Sequence, residues 1–314
     1  MITQKNAALA IDIGATKVAI GLIGIDGKVI SRQDVSSKAD NQAELNSRVA
    51  AAIKNQLSNN DFYIKSVGIG SAGPINPATG IINPVNISLW ENFALVDFIA
   101  EASGISEVVL IGDASALTYA EFKLGAGKGA NNLLGVVVST GIGGGLVLQG
   151  KFFPGNSGNA GYFGHTIIEI NGDKCSCGFN GCVEAYASGP NMLKYAIKNG
   201  LSLKDADSFA ELAELARNKD PLALETINRG ARALATGLLN SVATLDLDRI
   251  VIGGGVLNAS DIYLPVLKKY FYDDLKHLGF AENCEIMQTS LNQNSGLIGA
   301  GLASFNIDRK SLAV

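Results

Sequence analysis

The chain has 314 residues, of which 47% are hydrophobic and 17% charged, and its formal net charge is −4. A chain of this length is too long to form one small hydrophobic core, and it predicts two lobes of the α/β class. The mild negative charge, without a Lys/Arg block, excludes a typical nucleic-acid surface and favours a small-molecule ligand. No apolar run is long enough to span a bilayer, and the first residues lack the layout of a secretory signal. We therefore expect a cytoplasmic protein with no nucleic-acid or membrane partner.

The first part of the chain predicts an antiparallel meander followed by a helix. From Ala7, the segment ALAIDIGATKVAIGLIGIDGKVISRQDV contains three β-rich runs, separated by a glycine turn at 14–16 and an Asp-Gly turn at 26–27. An apolar side chain then recurs every four positions, at Leu45, Val49, Ile53 and Leu57. This spacing predicts a helix with one buried face.

Two further predicted strands end at glycine turns. The first, at 67–69, runs into the turn Gly70-Ser71-Ala72-Gly73-Pro74. The second, at 108–111, ends at Gly112-Asp113, and residues 114–124 have the pattern of the helix that follows it.

The plan of the first meander returns later in the chain. A strand at 133–139, a glycine turn at 140–145 and strands at 146–148 and 151–153 repeat its order, which predicts a duplicated architecture. The pattern is then helical to about residue 245. A buried strand, a third glycine turn and a Gly/Ala-rich helix follow, at 249–252, 253–255 and 296–305.

Three glycine turns that each follow an apolar strand are the main functional signal. They lie at 12–17, 139–145 and 253–255. Such turns let backbone N–H groups close around phosphate oxygens, and the hydroxyls of Thr16 and Thr140 can add hydrogen bonds. Any one of them could equally be a plain hairpin turn. Three together, two of them in matching positions of a repeat, favour a nucleotide-phosphate site.

Two common nucleotide motifs do not fit. The stretch from Gly125 hints at a P-loop, but Phe122 stands at the place of its first Gly and Gly129 at the place of Ser or Thr. The stretch from Gly141 lacks the last Gly of a dinucleotide fingerprint, because Leu146 occupies that position. The sequence therefore favours neither a P-loop enzyme nor a dehydrogenase.

The motif Asp12-Ile13-Gly14-Ala15-Thr16-Lys17 resembles the first phosphate loop of the sugar kinase, hsp70 and actin superfamily. Within that superfamily, CSCGFNGCVE from Cys175, preceded by GYFGH from Gly161, resembles the signature of the ROK family (repressors, open reading frames and sugar kinases). The resemblance extends from Ala8 to about Phe305. It implies a two-lobed actin-like (ribonuclease H-like) ATPase fold of the α/β class, with duplicated mixed β-sheets flanked by helices.

The absence of a low-complexity linker predicts that the chain divides into two directly joined lobes, and the resemblance implies their assembly. Residues 1–115 and a C-terminal helix over about 300–314 form the expected N-terminal lobe. Residues 116–299 form the larger C-terminal lobe, which carries the cysteine cluster and an oligomerisation surface. The hinge is expected near 113–125, and the implied assembly is a homodimer.

One imidazole and three thiolates lie close together in the sequence, at His165, Cys175, Cys177 and Cys182. This ligand set suits a closed tetrahedral Zn²⁺ site, and reduced cytoplasmic thiols favour a metal over disulfides. Without an open coordination position the zinc would be structural. The resemblance implies that it braces the loop carrying His165 and Glu184. Three buried cysteines without a metal are the alternative, and Cys284 is expected in the core.

Asp113 is the candidate catalytic base. It follows a buried strand and precedes a helix, which is where open α/β sheets place their ligands. A carboxylate there can orient a sugar hydroxyl and accept its proton during phosphoryl transfer, even though an ordinary aspartate is a weak base. Its position fits a helix-capping role equally well, and the family resemblance favours the catalytic one.

The implied nucleotide is ATP, with its phosphates at the first two glycine turns and its adenosine at the third. The predicted ATP-binding residues are Asp12, Gly14, Ala15, Thr16, Lys17, Thr140, Gly141, Gly143, Gly254 and Gly255. Mg²⁺ is expected to enter with the ATP phosphates and to contact Asp12 through water. A turn aspartate at the end of a strand is the alternative role of Asp12.

For the sugar, the resemblance implies contacts from Gly73, Asn86, Asp113, His165 and Glu184. Glu184 could instead be a surface charge. The family pattern has Asn before the catalytic Asp and Glu before the x-Gly-His segment, where this chain has Gly112 and Tyr162. Each change removes a hydrogen-bonding group, worth about 1 to 3 kcal/mol to a sugar that needs it. We therefore expect Gly112 and Tyr162 in the sugar pocket and an altered sugar preference.

The predicted function is ATP-dependent phosphorylation of a hexose or hexosamine, at the C6 hydroxyl, by a glucokinase-like enzyme. The alternative is a non-catalytic or altered-specificity ROK sugar-binding or regulatory protein, which Gly112 and Tyr162 keep open. A repressor is disfavoured, because the first predicted strand begins within about eight residues of Met1 and leaves no room for a helix-turn-helix module.

Overall fold

The computed structural model describes residues 5–58, 61–206, 208–281, 283–309 and 312. The strands are β1 (Lys5–Ile13), β2 (Lys17–Gly24), β3 (Val29–Ser36), β4 (Phe62–Ser71), β5 (Ile75–Asn76), β6 (Ile81–Ile82), β7 (Phe93–Ala94), β8 (Val108–Gly112), β9 (Leu133–Val138), β10 (Ile142–Leu148), β11 (Lys151–Phe153), β12 (Arg249–Gly253) and β13 (Glu285–Gln288). The α-helices are α1 (Gln42–Leu57), α2 (Leu95–Ser103), α3 (Asp113–Leu124), α4 (Val183–Ala187), α5 (Gly189–Lys198), α6 (Phe209–Arg217), α7 (Pro221–Leu245), α8 (Ser260–Leu275) and α9 (Ser295–Asn306). Within the described residues, none of these helices combines the length and the apolar character needed to cross a membrane.

Two five-stranded mixed sheets repeat one plan. The first has the strand order β3-β2-β1-β4-β8 and the second β11-β10-β9-β12-β13. In each sheet the three meander strands are antiparallel, and the other two strands run parallel to the first strand of the meander. The duplicated α/β architecture predicted from the repeated meander is therefore confirmed. A small antiparallel sheet, β5-β6-β7, adds to the first half.

Local sequence explains the first elements. The turn between β2 and β3 contains Gly27, whose φ of 79° favours glycine. Helix α1 begins after Asn41, whose side chain accepts a hydrogen bond from the Glu44 N–H. Its buried face has the predicted four-residue spacing, with Leu45, Val49 and Ile53.

Each large sheet contributes to its own hydrophobic core. The first core lies between the first sheet and helices α1 and α2, and it contains the fully buried Trp90. The second core lies between the second sheet and helices α4 to α8. Helix α3 packs against β9 and β10 of the second sheet and against β4 of the first. The predicted boundary at residue 115 falls in this helix and stays a prediction.

The last helix, α9, returns to the first sheet and packs on β1, β2 and β4. Gly68 of β4 permits the contact, because a Cβ at that position would overlap the Ala300 carbonyl. The closely packed Gly/Ala helix predicted at 296–305 is confirmed. Part of the expected C-terminal range, residues 310, 311, 313 and 314, lies outside the described residues.

Some elements differ from the sequence prediction. β4 starts at Phe62 rather than at residue 67. Partly buried and exposed side chains alternate in its first half, so the buried run that predicts a strand begins only later. Two elements were not predicted from the sequence: β13, which is four residues long, and α8, which contains Pro265. Short strands and helices with an internal proline carry weak sequence signals.

Candidate active site

Asp113 is the first residue of α3 and directly follows β8, at the carboxyl ends of the parallel strands β1, β4 and β8. Its Oδ1 accepts a 2.7 Å hydrogen bond from the Ala114 N–H. Burial raises the pKa of the carboxyl group, which makes Asp113 a better proton acceptor than an ordinary aspartate. The bond from Ala114 is a local backbone contact of Oδ1, and the role of Asp113 as catalytic base stays a prediction.

Two glycines of β10 let the first turn of α3 approach the second sheet. A Cβ on Gly143 would lie 3.0 Å from the Ala114 Cβ, and one on Gly145 would lie 2.6 Å from the Ser115 Cα. Side chains at these positions would push α3 away. The predicted phosphate turn at 140–145 therefore adjoins the start of the helix that carries Asp113.

Asp12 is a second acid of the same cleft. It lies near the end of β1, and a Cβ on Gly296 of α9 would lie 2.5 Å from its Oδ2. Burial and the neighbouring Asp113 raise the pKa of Asp12 to about 7, against the opposing effect of Arg32 and Lys17. Two acids in one shielded cleft favour the binding of a cation.

The first predicted phosphate turn is an ordered hairpin between β1 and β2. The Gly14 N–H donates to the Lys17 carbonyl over 3.0 Å, with Ala15 and Thr16 between them. The Lys17 ammonium group lies 2.9 Å from the Asp34 carboxylate. An exposed ion pair of this kind is weak enough for a phosphate to compete with it.

A cavity of about 540 Å³ lies between the second and third glycine turns. Thr140 lines one side and Gly255 the other. Gly254, at a φ of 100°, lies so close to β9 that a Cβ would overlap the Val138 backbone. The volume is in the range of small-molecule and cofactor sites. Residues of α5, of α6 and its N-cap, and of the segment after β12 complete the lining and stand in no sequence motif: Gly189, Pro190, Leu193, Ser208, Phe209, Ala210, Ala213, Arg217, Val256, Asn258 and Ala259.

A smaller cavity of about 50 Å³ lies beside Asp113. Four predicted sugar residues, Gly73, Gly112, Asp113 and Tyr162, line it together. Asn159, which stands in no sequence motif, also lines this cavity. The Asn159 side chain accepts from the Ile75 N–H over 3.1 Å and donates to the Ile75 carbonyl over 2.9 Å. It therefore fixes the loop that follows Gly73.

Glu184 contacts the second phosphate turn. Its Oε2 accepts a 2.8 Å hydrogen bond from the Ile142 N–H, and its Oε1 lies 3.3 Å from the Ser176 hydroxyl. A Cβ on Gly141 would lie 2.9 Å from the same Oε2. Glu184 thus links the glycine turn to the cysteine loop, so the surface-charge alternative is wrong. Its contact with a sugar stays a prediction.

Three predicted sugar residues, Asn86, His165 and Glu184, are not among the described residues that line the cavity beside Asp113. Contact of His165 with a sugar stays a prediction. Asn86 is exposed in the segment after β6. A role for Asn86 in sugar binding stays a prediction.

The side chains of His165, Cys175, Cys177 and Cys182 converge, with their ligand atoms all within 4.8 Å of one another. The Cys177 and Cys182 sulfurs are 3.7 Å apart, and the Cys175 sulfur is 3.5 Å from His165 Nδ1. A tetrahedral Zn²⁺ with bonds of about 2.0 to 2.3 Å separates its ligand atoms by roughly 3.5 to 3.8 Å. The four residues therefore fit a tetrahedral metal ion.

Tyr162 connects this cluster to the cleft. Its ring centroid lies 5.1 Å from that of His165, with the two planes tilted by 34°. Burial and the negative charges of Asp113 and Glu184 raise the pKa of the Tyr162 hydroxyl. The phenol is therefore a neutral hydrogen-bond donor near both acids.

The family model described as the ROK family matches residues 8–304. This chain belongs to the ROK family. An N-acetylmannosamine kinase from Haemophilus influenzae (strain PittGG) is 33% identical over 93% of this ROK chain and 93% of its own. A crystal structure of the ROK hexokinase from Thermus thermophilus has 31% identity and a TM-score of 0.85, covering 95% of this chain and 98% of that one.

A third relative was solved with ligands. The ROK family glucokinase from Streptomyces griseus, in complex with glucose and AMPPNP, has 28% identity and a TM-score of 0.80. The similarity covers 94% of this ROK chain and 98% of the glucokinase chain. The family resemblance seen in the glycine turns and the cysteine segment is therefore confirmed over nearly the whole chain.

Proposed function

We propose that this ROK protein is a sugar kinase that transfers the γ-phosphoryl group of ATP to the C6 hydroxyl of a hexose or hexosamine. Relatives named N-acetylmannosamine kinase and glucokinase support this reaction. Their sugars, N-acetylmannosamine and glucose, are the first candidate substrates for this chain. The observation that carries the proposal is the close contact between the glycine turn at 140–145 and the helix that starts with Asp113. That contact brings a phosphate site next to a shielded base.

Three parts of the cleft have separate roles. The backbone of residues 14–16 and 140–143 holds the ATP phosphates, and the cavity of about 540 Å³ takes the adenosine beside Gly255. The sugar lies against the lining of the smaller cavity, with Tyr162 at one side. Asp113 orients the attacking hydroxyl and accepts its proton as the phosphoryl group moves in line. Closure of the cleft excludes water and so limits ATP hydrolysis.

Asp12 would hold Mg²⁺ through water, and the ion would neutralise charge on the ATP phosphates. Burial and the neighbouring Asp113 raise the pKa of Asp12, because both destabilise its ionised carboxylate. A bound cation would stabilise that carboxylate, which supports this role.

His165, Cys175, Cys177 and Cys182 are proposed to hold a structural Zn²⁺, as their spacing supports. This ion would fix the loop whose Ser176 and Glu184 reach the phosphate turn. The division into lobes at residue 115 and a homodimeric assembly stay proposals that rest on the family resemblance.

A second candidate function is sugar binding without turnover. Gly112 and Tyr162 favour it, because they stand where the family pattern has hydrogen-bonding Asn and Glu. Asp113 and the phosphate turns favour catalysis.

ADP release should be measured against glucose, N-acetylmannosamine, N-acetylglucosamine, mannose, fructose and allose, with wild type and Asp113→Asn. We expect at least one sugar to stimulate turnover and the substitution to lower kcat by about 10²- to 10⁴-fold, the range for loss of a general base. Asp97→Asn is the matched control, since Asp97 is an exposed acid in the first turn of α2. Sugar binding without turnover by wild type would select the second candidate, and equal rates for Asp113→Asn would refute the proposed base.

A further inference from the structure

Glu121 is a fully buried carboxylate that the proposed chemistry does not use. It lies on α3, two turns after Asp113. Burial of an acid is costly unless its oxygens are hydrogen-bonded. The hydrogen-bond donors of Glu121 therefore show which segment its side chain fixes.

Both carboxylate oxygens of Glu121 accept hydrogen bonds. Oε2 accepts from the Ala126 N–H at 2.9 Å, and Oε1 accepts from the Leu291 N–H at 2.9 Å. The Ser290 N–H lies 3.0 and 3.1 Å from the two oxygens, and the Ser290 hydroxyl lies 3.2 Å from Oε2. The Ser295 hydroxyl lies 3.2 Å from Oε1. Most of these donors belong to residues 290–295, the entry segment that leads into α9.

The entry segment ends beside Asp12. Ser295 is the first residue of α9, and the next residue, Gly296, lies against the Asp12 carboxylate. Arg32 of β3 holds the same segment from the other side, donating to the Asn294 side chain at 2.6 Å and to the Gln293 carbonyl at 3.2 Å. The entry segment is thus held between the helix that carries Asp113 and the strands beside Asp12.

We propose that Glu121 is a positioning residue for phosphoryl transfer, whose carboxylate fixes the entry segment against α3 and thereby sets the position of Asp12 relative to Asp113. This role rests on the proposed kinase function. Glu121 itself does not touch the substrates. It acts on Asp113 through α3, and on Asp12 through the hydrogen-bonded entry segment and the close packing of Gly296 against the Asp12 carboxylate.

A glutamine cannot reproduce these bonds. Three of the donors are backbone N–H groups, which cannot reverse their direction, and a glutamine presents one acceptor oxygen and one N–H₂ group in place of two acceptors. The N–H₂ group would face a backbone N–H, so the entry segment would shift. There is little room for a larger adjustment, because a Cβ on Gly125 would already overlap Glu121.

The test compares Glu121→Gln with wild type in steady-state kinetics. Calorimetric titration with the best substrate sugar gives the fraction of binding-competent sites, and kcat is expressed per competent site. We expect kcat per site to fall at least tenfold while the sugar KM changes less than threefold. A purely structural role would lower the number of competent sites and leave kcat per site unchanged.

Ser66→Ala is the matched control. It removes a partly buried 3.0 Å hydrogen bond between Ser66 of β4 and Ser304, near the other end of α9, and leaves the entry segment untouched. We expect it to lower the unfolding temperature but to keep kcat per site within twofold.

If Glu121→Gln does not fold, Ser290→Ala and Ser295→Ala each remove one hydroxyl donor to the same carboxylate. Each is expected to lower kcat per site two- to fivefold. An active wild type with unchanged kcat per site in the glutamine variant, or in both serine variants, refutes the positioning role alone. A wild type that turns over none of the sugars refutes the kinase function and this role with it.

Discussion

The shielded carboxyl group of Asp12 predicts a stability that depends on pH. Its pKa rises from an ordinary 3.8 to about 7 in the folded protein, because of burial and the nearby Asp113. Above pH 4 the unfolded chain releases this proton, whereas the native protein keeps it up to about pH 7. The native state therefore binds more protons in this window, and the free energy of unfolding falls as the pH rises. Asp12→Asn removes this dependence.

The size of the effect follows from the same pKa. Each tenfold change in proton binding corresponds to about 1.4 kcal/mol, so the two pH units between 5 and 7 correspond to about 3 kcal/mol. Relative to wild type, Asp12→Asn should gain about 3 kcal/mol in free energy of unfolding between pH 5 and pH 8. Most of this gain should appear between pH 5 and pH 7.

Urea unfolding without nucleotide or Mg²⁺ measures the change. The single tryptophan, Trp90, lies in the core of the first sheet, and its fluorescence reports the unfolding of the part that contains Asp12. Asp261→Asn is the control, because Arg217 lowers the pKa of Asp261 and Asp261 is not among the charges that shift the pKa of Asp12, so its effect should be constant from pH 5 to pH 8. A difference between Asp12→Asn and wild type that stays constant, or shrinks with rising pH, would refute the reasoning.

Three further outcomes are expected. Elemental analysis should find one zinc per chain, lost in Cys177→Ser and kept in Cys284→Ser, whose thiol is buried elsewhere; zinc retained by the first variant would exclude the proposed ligand set. Tyr162→Glu should change the ratio of kcat/KM between the best and second-best sugars by about tenfold, since one hydrogen-bonding group is worth about 1 to 3 kcal/mol; an unchanged ratio would place the sugar away from Tyr162. Gly255→Val should raise the KM for ATP about tenfold and leave the sugar KM within twofold, because its side chain enters the cavity beside Ser139; an unchanged KM for ATP would place the adenosine elsewhere.

The features predictable from sequence are those encoded by neighbouring residues. The meanders, their glycine turns and the strand-to-helix junction at Asp113 each depend on short runs with a regular pattern. The cysteine cluster is likewise confined to a few positions after His165, and its side chains do converge. The family resemblance added the roles, which spacing alone left open.

What the sequence did not reveal depends on contacts between distant segments. Phe209 and Leu193 line the larger cavity because α5 and α6 pack beside the second and third turns, and neither residue stands in a motif. Asn159 reaches Ile75, 84 positions away, and Glu121 reaches Ser290, 169 positions away. Such pairs are set by tertiary packing, which a periodic pattern does not encode.

The position of α9 has a consequence for how the chain is made. The helix leaves the ribosome well after β1 and β2, yet Leu297 and Ala300 complete a core to which these strands contribute. Until residue 306 emerges, the nascent first sheet exposes the surface around Gly68 where that helix belongs. Vectorial synthesis therefore leaves an apolar face uncovered until α9 has been made, and chaperones that bind such faces have this interval in which to act on the first sheet.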